Sequence, residues 1–188
     1  TVYYNDDRSL VFNKEVFTDE VLAEFGKTRE EFSEIRAAEV GNIFKLMFKF
    51  SEPLELKYTD EKNETKTVYM GCYGIGISRV MGVIAEKYAD AKGLVWPEAV
   101  APYKYYLVGI GDTGMEKAAE LYRGNEELMI LDDRNARPGE KFADAELMGI
   151  PYRVVVSEKT LAEESVEVTS RATGESKLMK ISEFINNL

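Results

Sequence analysis

Gly71-Cys72-Tyr73-Gly74-Ile75-Gly76-Ile77-Ser78-Arg79 sets three glycines between a strand-like run, Thr67-Val68-Tyr69-Met70, and an amphipathic helix pattern. Glycine suits places where backbone must approach a ligand closely. Arg79 falls in the first turns of the helix, where it can meet an anion. A glycine strand running into a helix with one arginine suits the floor of a nucleotide site. Tight packing of strand on helix accounts for the same glycine spacing, so that alternative stands beside it.

Downstream, Ile77, Val80, Met81, Ile84, Ala85 and Tyr88 recur at helical spacing. They predict an amphipathic helix whose apolar stripe enters a core. Upstream, Ile43–Phe50, Leu54–Thr59 and Thr65–Met70 read as strands, with a turn at Asp60-Glu61-Lys62-Asn63. They predict an antiparallel meander leading into the glycine run. At the N-terminus, Thr1–Asn13 reads as two strands around a polar turn, and Thr18–Phe25 as a short helix stopped by Gly26. Thr28 and Glu31 fit a capping box that opens a second short helix to about Arg36.

Gly93 to Pro102 holds two prolines and little periodicity, which places a domain boundary there, between 1–100 and 101–188. Trp96 is expected to wedge the domains together. Beyond the boundary, strand and helix alternate: Tyr103–Ile110, Met115–Tyr122, Leu128–Leu131, Lys141–Met148 and Tyr152–Val156. That order predicts parallel pairing with helices against the sheet. A hairpin over Val166–Lys180 and a helix over Ile181–Leu188 complete the chain.

Composition narrows the chemistry. The chain has 188 residues, no histidine and one cysteine, Cys72. Histidine-based nucleophile systems, internal disulfides and typical zinc sites are excluded. Without an activating histidine, Cys72 reads as a small buried residue. Catalysis would rest on carboxylates, arginine, lysine and backbone. No metal ligands are assigned. No apolar run approaches the ~20 residues that span a bilayer, and the cytoplasm is the expected compartment.

The net charge is −10. Residues 101–188 carry 11 basic and 16 acidic side chains, so 11 − 16 = −5. Broad DNA or RNA binding is disfavoured, and an RNA contact would be a local patch. Solubility is the other use of such acidity. The cationic cluster in the second half is Arg134, Arg137 and Lys141, beside Asp132, Asp133 and Glu140. Mixed charge suits base-edge reading, and Phe142 is placed to stack on a base. A solvated turn with ordinary ion pairs explains the same residues from spacing alone.

The string Gly71–Arg79 resembles motif 3 of class II aminoacyl-tRNA synthetases, in the form found in bacterial-type prolyl-tRNA synthetases. Glu39-Val40-Gly41-Asn42-Ile43-Phe44-Lys45-Leu46 is similar to the family segment before that motif. Leu131–Pro151 resembles the family's anticodon-binding domain, and Gly93–Pro102 its linker. The resemblance runs from about residue 36 to about residue 171.

The resemblance implies a mixed α/β fold. The end of an antiparallel-sheet catalytic domain would be followed by a small α/β anticodon-binding domain. It implies that Arg79 is catalytic and binds ATP, and that Gly74 and Gly76 floor the adenylate site. Asn42, Gly71 and Cys72 would line the proline pocket. Asp133, Arg134, Arg137, Lys141 and Phe142 would meet the anticodon. It implies ATP and Mg2+ as the whole enzyme's needs, with none tightly bound by this chain, and proline and its tRNA as partners. A homodimer is implied for the longer enzyme, with no membrane or DNA partner.

Two departures stand out. Asn42 replaces the family's usual histidine, and Met47-Phe48 replaces a glycine-threonine pair. No motif 1 or motif 2 is found, and the threonine at position 1 favours a segment of a longer enzyme, inactive alone. A noncatalytic paralogue that binds RNA or a protein is the alternative.

Overall fold

The computed structural model describes residues 1–188. The chain divides into two compact units, Thr1–Val80 and Met81–Leu188. In the first, β1 (Val2–Asn5) lies between two antiparallel neighbours, β2 (Val11–Asn13) and β3 (Phe32–Ile35). Helix α1 (Asp19–Glu24) intervenes, with the Thr18 hydroxyl accepting from Val21 N–H, and Gly26 follows at φ 63°. Phe12, Phe17 and Leu22 form a small core against which Phe32 packs. The capping box at Thr28 and Glu31 is present, but it opens one turn, Arg29–Glu31, rather than a helix to Arg36. Long-range pairing with β1 takes Phe32–Ile35 instead.

Strand β4 (Gly41–Met47) pairs antiparallel with β7 (Met70–Ile75). Between them, β5 (Lys57–Thr59) and β6 (Thr65–Thr67) form a separate hairpin, so the expected continuous meander is corrected. Asp60 explains its autonomy: its carboxylate accepts from the N–H of Lys62 and of Glu64 and from Lys66 Nζ. A register shift between Lys45 and Met47 ends β4 earlier than the expected Phe50. Met47 there has φ 52°.

β7 is the glycine run itself, and it leads directly into α2 (Ile77–Tyr88). The apolar stripe of α2 is not a core here. None of its residues is buried, and Ile77 is 81% exposed. Val80, Ile84 and Ala85 are only partly covered, and Met81 and Tyr88 are exposed.

The second unit is a five-stranded sheet in the order β12-β11-β10-β8-β9. Its elements are β8 (Tyr105–Ile110), α3 (Gly111–Tyr122), β9 (Met129–Asp132), α4 (Pro138–Met148), β10 (Tyr152–Ser157), α5 (Glu158–Leu161), β11 (Ser165–Ser170), β12 (Ser176–Lys180) and α6 (Ile181–Asn186). β8 runs parallel to β9 and β10, as the alternation predicted, while β11 and β12 are antiparallel. Strand period decides the layers. Tyr105, Leu107, Val154, Val156, Val166 and Val168 face Ala118 and Leu121 of α3 and Phe184 of α6. Tyr106 and Val108 face the other way, against Ala145 of α4 and Ile150. The single turn of α5 carries no periodic signal and was not expected.

The segment before β8 is bonded into this second unit. Leu94 N–H donates to Leu147 O, and Trp96 N–H to Gly149 O. Arg171 grips Asp90 through two hydrogen bonds, of 2.8 and 2.6 Å. The compact division therefore falls at Val80/Met81 rather than in the proline-bearing linker.

Candidate functional site

Strand register sorts the candidates of the first unit. Asn42 lies opposite Gly74 and Phe44 opposite Cys72, so these four share one face of the β4–β7 pair. Gly71, opposite Lys45, belongs to the other face. Asn42 Nδ2 donates to Glu39 Oε1 at 2.8 Å. Cys72 is exposed, which corrects the expectation of a buried residue. No element of this chain covers β7 on that side.

A side chain at Gly74 would meet no atom within 4 Å, and Gly74 has no positive φ. Neither backbone conformation nor packing of strand on helix requires glycine at that position. Gly71 and Gly76 would tolerate a Cβ too: their nearest contacts are Phe44 O at 3.8 Å and the Arg79 Cβ at 3.4 Å. Arg79, exposed on the first turn of α2, donates from Nη1 to the Glu39 carbonyl. It makes no ion pair, so a surface salt bridge does not account for it. The guanidinium is tethered to the backbone before β4 and keeps donors free.

In the second unit the turn after β9 is built on Asp132. This buried carboxylate accepts from Tyr106 Oη at 2.7 Å and from Arg134 Nε and Nη2 at 2.9 and 2.7 Å. Arg134, first among the causes, holds the Asp132 carboxyl down to about 2. Burial, then the Asp132 bond, push the Tyr106 phenol up. Arg134 Nη2 also reaches Asp144 at 2.7 Å.

Lys141 is buried and donates from Nζ to the Asp132 carbonyl at 2.9 Å. Phe142 is half-buried, with the Arg153 guanidinium 4.3 Å from its ring centre. Asp133 and Arg137 differ from these: their side chains are exposed and engage no partner, while Arg137 N–H is held by Glu140 Oε2 at 3.1 Å. A cavity of about 350 Å³ opens at the carboxyl ends of β8 and β9, lined by Asp112, Asp133, Arg134, Asn135, Pro138 and Lys141 among others. Such crevices beyond parallel strands commonly take ligands.

The structure thus gathers Asp133, Arg134, Arg137 and Lys141 around one turn, as spacing suggested. It divides them into holders (Arg134, Lys141) and free groups (Asp133, Arg137). Sequence reasoning missed the Tyr106–Asp132 bond and the roles of Arg153 and Arg171. The signal for Arg153 was a lone charge in the apolar run Tyr152-Arg153-Val154-Val155-Val156. No group of three carboxylates or thiols is arranged to hold a metal ion, so the residues present offer Mg2+ no ready donor set. No helix is long and apolar enough to cross a membrane.

Comparison with known proteins adds to this geometry. Residues 10–88 match the family model described as the tRNA synthetase class II core domain (G, H, P, S and T). Residues 106–188 match the anticodon binding domain. A curated relative from Bacillus mycoides (strain KBAB4), named Proline--tRNA ligase, is 44% identical over 155 residues, covering 79% of this chain and 27% of the relative. Relatives of the same name from Bacillus cereus strains AH187 and G9842 match with the same identity and coverage. The chain spans about a quarter of the length of these relatives.

Proposed function

The chain belongs to the class II aminoacyl-tRNA synthetases, alongside the proline--tRNA ligases, and from that premise we propose how its parts act. Residues 1–100 supply the motif 3 wall of a site where proline is activated with ATP. Residues 101–188 bind the anticodon of proline tRNA. The cytoplasm, where translation runs, is the compartment we infer.

The observation that carries the catalytic part is Gly74. It leaves open space above β7 that nothing in the chain's own packing requires. A planar adenine or adenylate laid on Gly74 and Gly76 would lie close to backbone. Arg79, with donors to spare, would meet the triphosphate bidentately. The proline carboxylate is already a nucleophile, so the site's task is positioning and charge stabilisation. Asn42 and Cys72 would border proline from the shared face, whereas the register turns Gly71 to the other face and leaves it outside that pocket. Mg2+ accompanies ATP in this class, and we assign it no residue of this chain.

For the anticodon, Asp133 and Arg137 are the groups free to read base edges. Arg134 and Lys141 position the turn, and Phe142 borders it under Arg153. A carboxylate accepts from cytosine N4, and an arginine donates to guanine.

The test is a chimera in which this chain replaces the matching segment of a Bacillus relative. Proline-dependent ATP–pyrophosphate exchange reads activation. Arg79→Ala is expected to raise the KM for ATP about tenfold or more, since a charged bidentate contact is worth ~1.5–3 kcal/mol. Unchanged ATP dependence would remove Arg79 from the site. A binding role without catalysis is the second reading. The side chain of Asn42 is tied to Glu39, and Met47 occupies a left-handed conformation where the family has glycine. A chimera that binds tRNA without exchange would favour it.

A further inference from the structure

Arg153 is the second residue of β10, with valines on its C-terminal side. Pairing with Tyr106 and Thr169 puts its side chain on the α4 face of the sheet. The guanidinium lies on the Phe142 ring, and Nη2 approaches Thr169 Oγ1 at 3.4 Å. Its Nε is buried without any hydrogen-bond partner, and no carboxylate pairs with it. An unsatisfied buried donor on a charged group is costly and calls for an acceptor.

The space beside Arg153 is built for one. A cavity of about 160 Å³ is lined by Lys92, Arg153, Arg171, Thr169, Ser170 and Ser176, with Glu146 as its one carboxylate. At about 30 Å³ per water, that is room for a group the size of a phosphate, and the cavity opens to solvent on one side. Glu146 is engaged by Lys92 at 3.1 Å. Arg171 is held by Asp90 and by the Glu146 carbonyl at 2.9 Å. Two cations are therefore held by carboxylates, while Arg153 has only the long Thr169 contact and the Phe142 ring, with its Nε unpartnered. The lining is rich in donors and cationic, within a chain whose net charge is −10.

We propose that this cavity binds a phosphate group, supplied by the backbone of the RNA that the second unit recognises. The proposal rests on the RNA-binding reading above for the source of the phosphate, while the cavity's preference for a tetrahedral oxyanion stands on its own lining. Arg153 is the central ligand through its planar fork, with the Thr169 and Ser176 hydroxyls (2.8 Å apart) beside it.

The experiment follows the Arg153 Nε–H resonance by NMR in the whole chain. The probes are a short single-stranded RNA with the proline anticodon, an anticodon-swapped RNA, and inorganic phosphate. Both RNAs are expected to shift the signal. Arg153→Gln is expected to lower the slope of log affinity against log salt by about 0.7, the loss of one phosphate contact on a single strand, equally for both RNAs. Where the variant does not fold, the wild-type resonance decides. RNA binding that leaves the resonance and the slope unmoved would overturn the proposal. A shift with inorganic phosphate but with neither RNA would overturn the RNA source and assign the cavity to free phosphate. Equal affinity for the two RNAs with the Arg153 signal still moving would sink anticodon reading alone and leave the phosphate cavity standing.

Discussion

At Asp132, donors from three elements meet one buried residue: Tyr106 from β8 and Arg134 from the turn bind its carboxylate, and Lys141 from α4 binds its backbone carbonyl. The Arg134 guanidinium holds its carboxyl at about 2, against about 3.9 in an unfolded chain. The folded value is the lower one. The contribution to stability is therefore complete above pH about 4 and is lost as pH falls through that value toward 2. Tyr106→Phe removes a hydrogen bond to a charged acceptor, and a cost of ~1.5–3 kcal/mol is expected in urea unfolding at neutral pH. The same variant should unfold at a higher pH in an acid titration, because Asp132 loses one of the bonds that favour its ionised form. A wild-type acid limb would contradict that account of the carboxylate. Lys141 and Arg137 make a matched pair of controls. Lys141→Ala empties a buried site and strands a backbone acceptor, so it should cost more than ~1 kcal/mol. Arg137→Ala touches only an exposed side chain and should stay within about 0.5 kcal/mol. Equal effects in parallel urea melts would show that the two residues are not divided into holder and reader.

Helix α4 shows an element whose C-terminal end was legible in advance, while its start, expected at Lys141, lies earlier at Pro138. Pro138 starts it, and Gly149 closes it at φ 72°, as expected of a glycine after the last helical turn. What the sequence does not disclose is the second constraint on Gly149: a Cβ there would lie 2.2 Å from Leu94 O. Gly149→Ala therefore meets both the left-handed cost of ~1–2 kcal/mol and a backbone collision. Faster amide exchange at Trp96, which donates to Gly149 O, is the expected signature, and exchange rates equal to wild type would refute the docking of that segment. Met47 presents the opposite case, a large residue at φ 52° next to the register shift of β4. Met47→Gly should be neutral or stabilising by up to ~1 kcal/mol, while Met47→Val should destabilise, because a β-branched residue fits that region worst. Thermal melts of the pair decide it. Local signals of this kind, such as caps, glycine stops, the valine run of β10 and the alternating valines of β11, made the second unit readable. Strand β3 was misread because long-range pairing with β1 decides it and leaves no periodic trace; the β5–β6 hairpin and its Asp60 turn were read correctly, but not its separation from the β4–β7 pair.

The whole chain shows why half of the site stayed hidden. In the first unit the faces of β4, β7 and α2 that the motif predicts to be interior are open: Ile43 is 82% exposed and Tyr73 80%. Periodicity announces that a face is apolar, and it is silent about which polypeptide covers it. The candidate residues were found by pattern, while burial of Cys72, inferred from the lack of an activating histidine, and of the α2 stripe, inferred from helical spacing, did not follow. In the second unit the parallel pairing of β8 with β9 and β10 came correctly from alternation of strand and helix, yet the strand order and the division of Asp133, Arg134, Arg137 and Lys141 into readers and holders needed coordinates. The charge balance of this half, 11 − 16 = −5, leaves little nonspecific attraction, so recognition there has to come from a few base contacts. Titration of the chain with proline tRNA and with an otherwise identical tRNA carrying a swapped anticodon, at one fixed salt concentration, tests this most directly. Losing one good base contact costs ~1–3 kcal/mol, so binding to the cognate tRNA should be tighter by roughly fivefold to a hundredfold, and Arg137→Ala should erase most of that difference. Equal affinity for the two tRNAs would contradict the assignment of residues 101–188 to anticodon recognition.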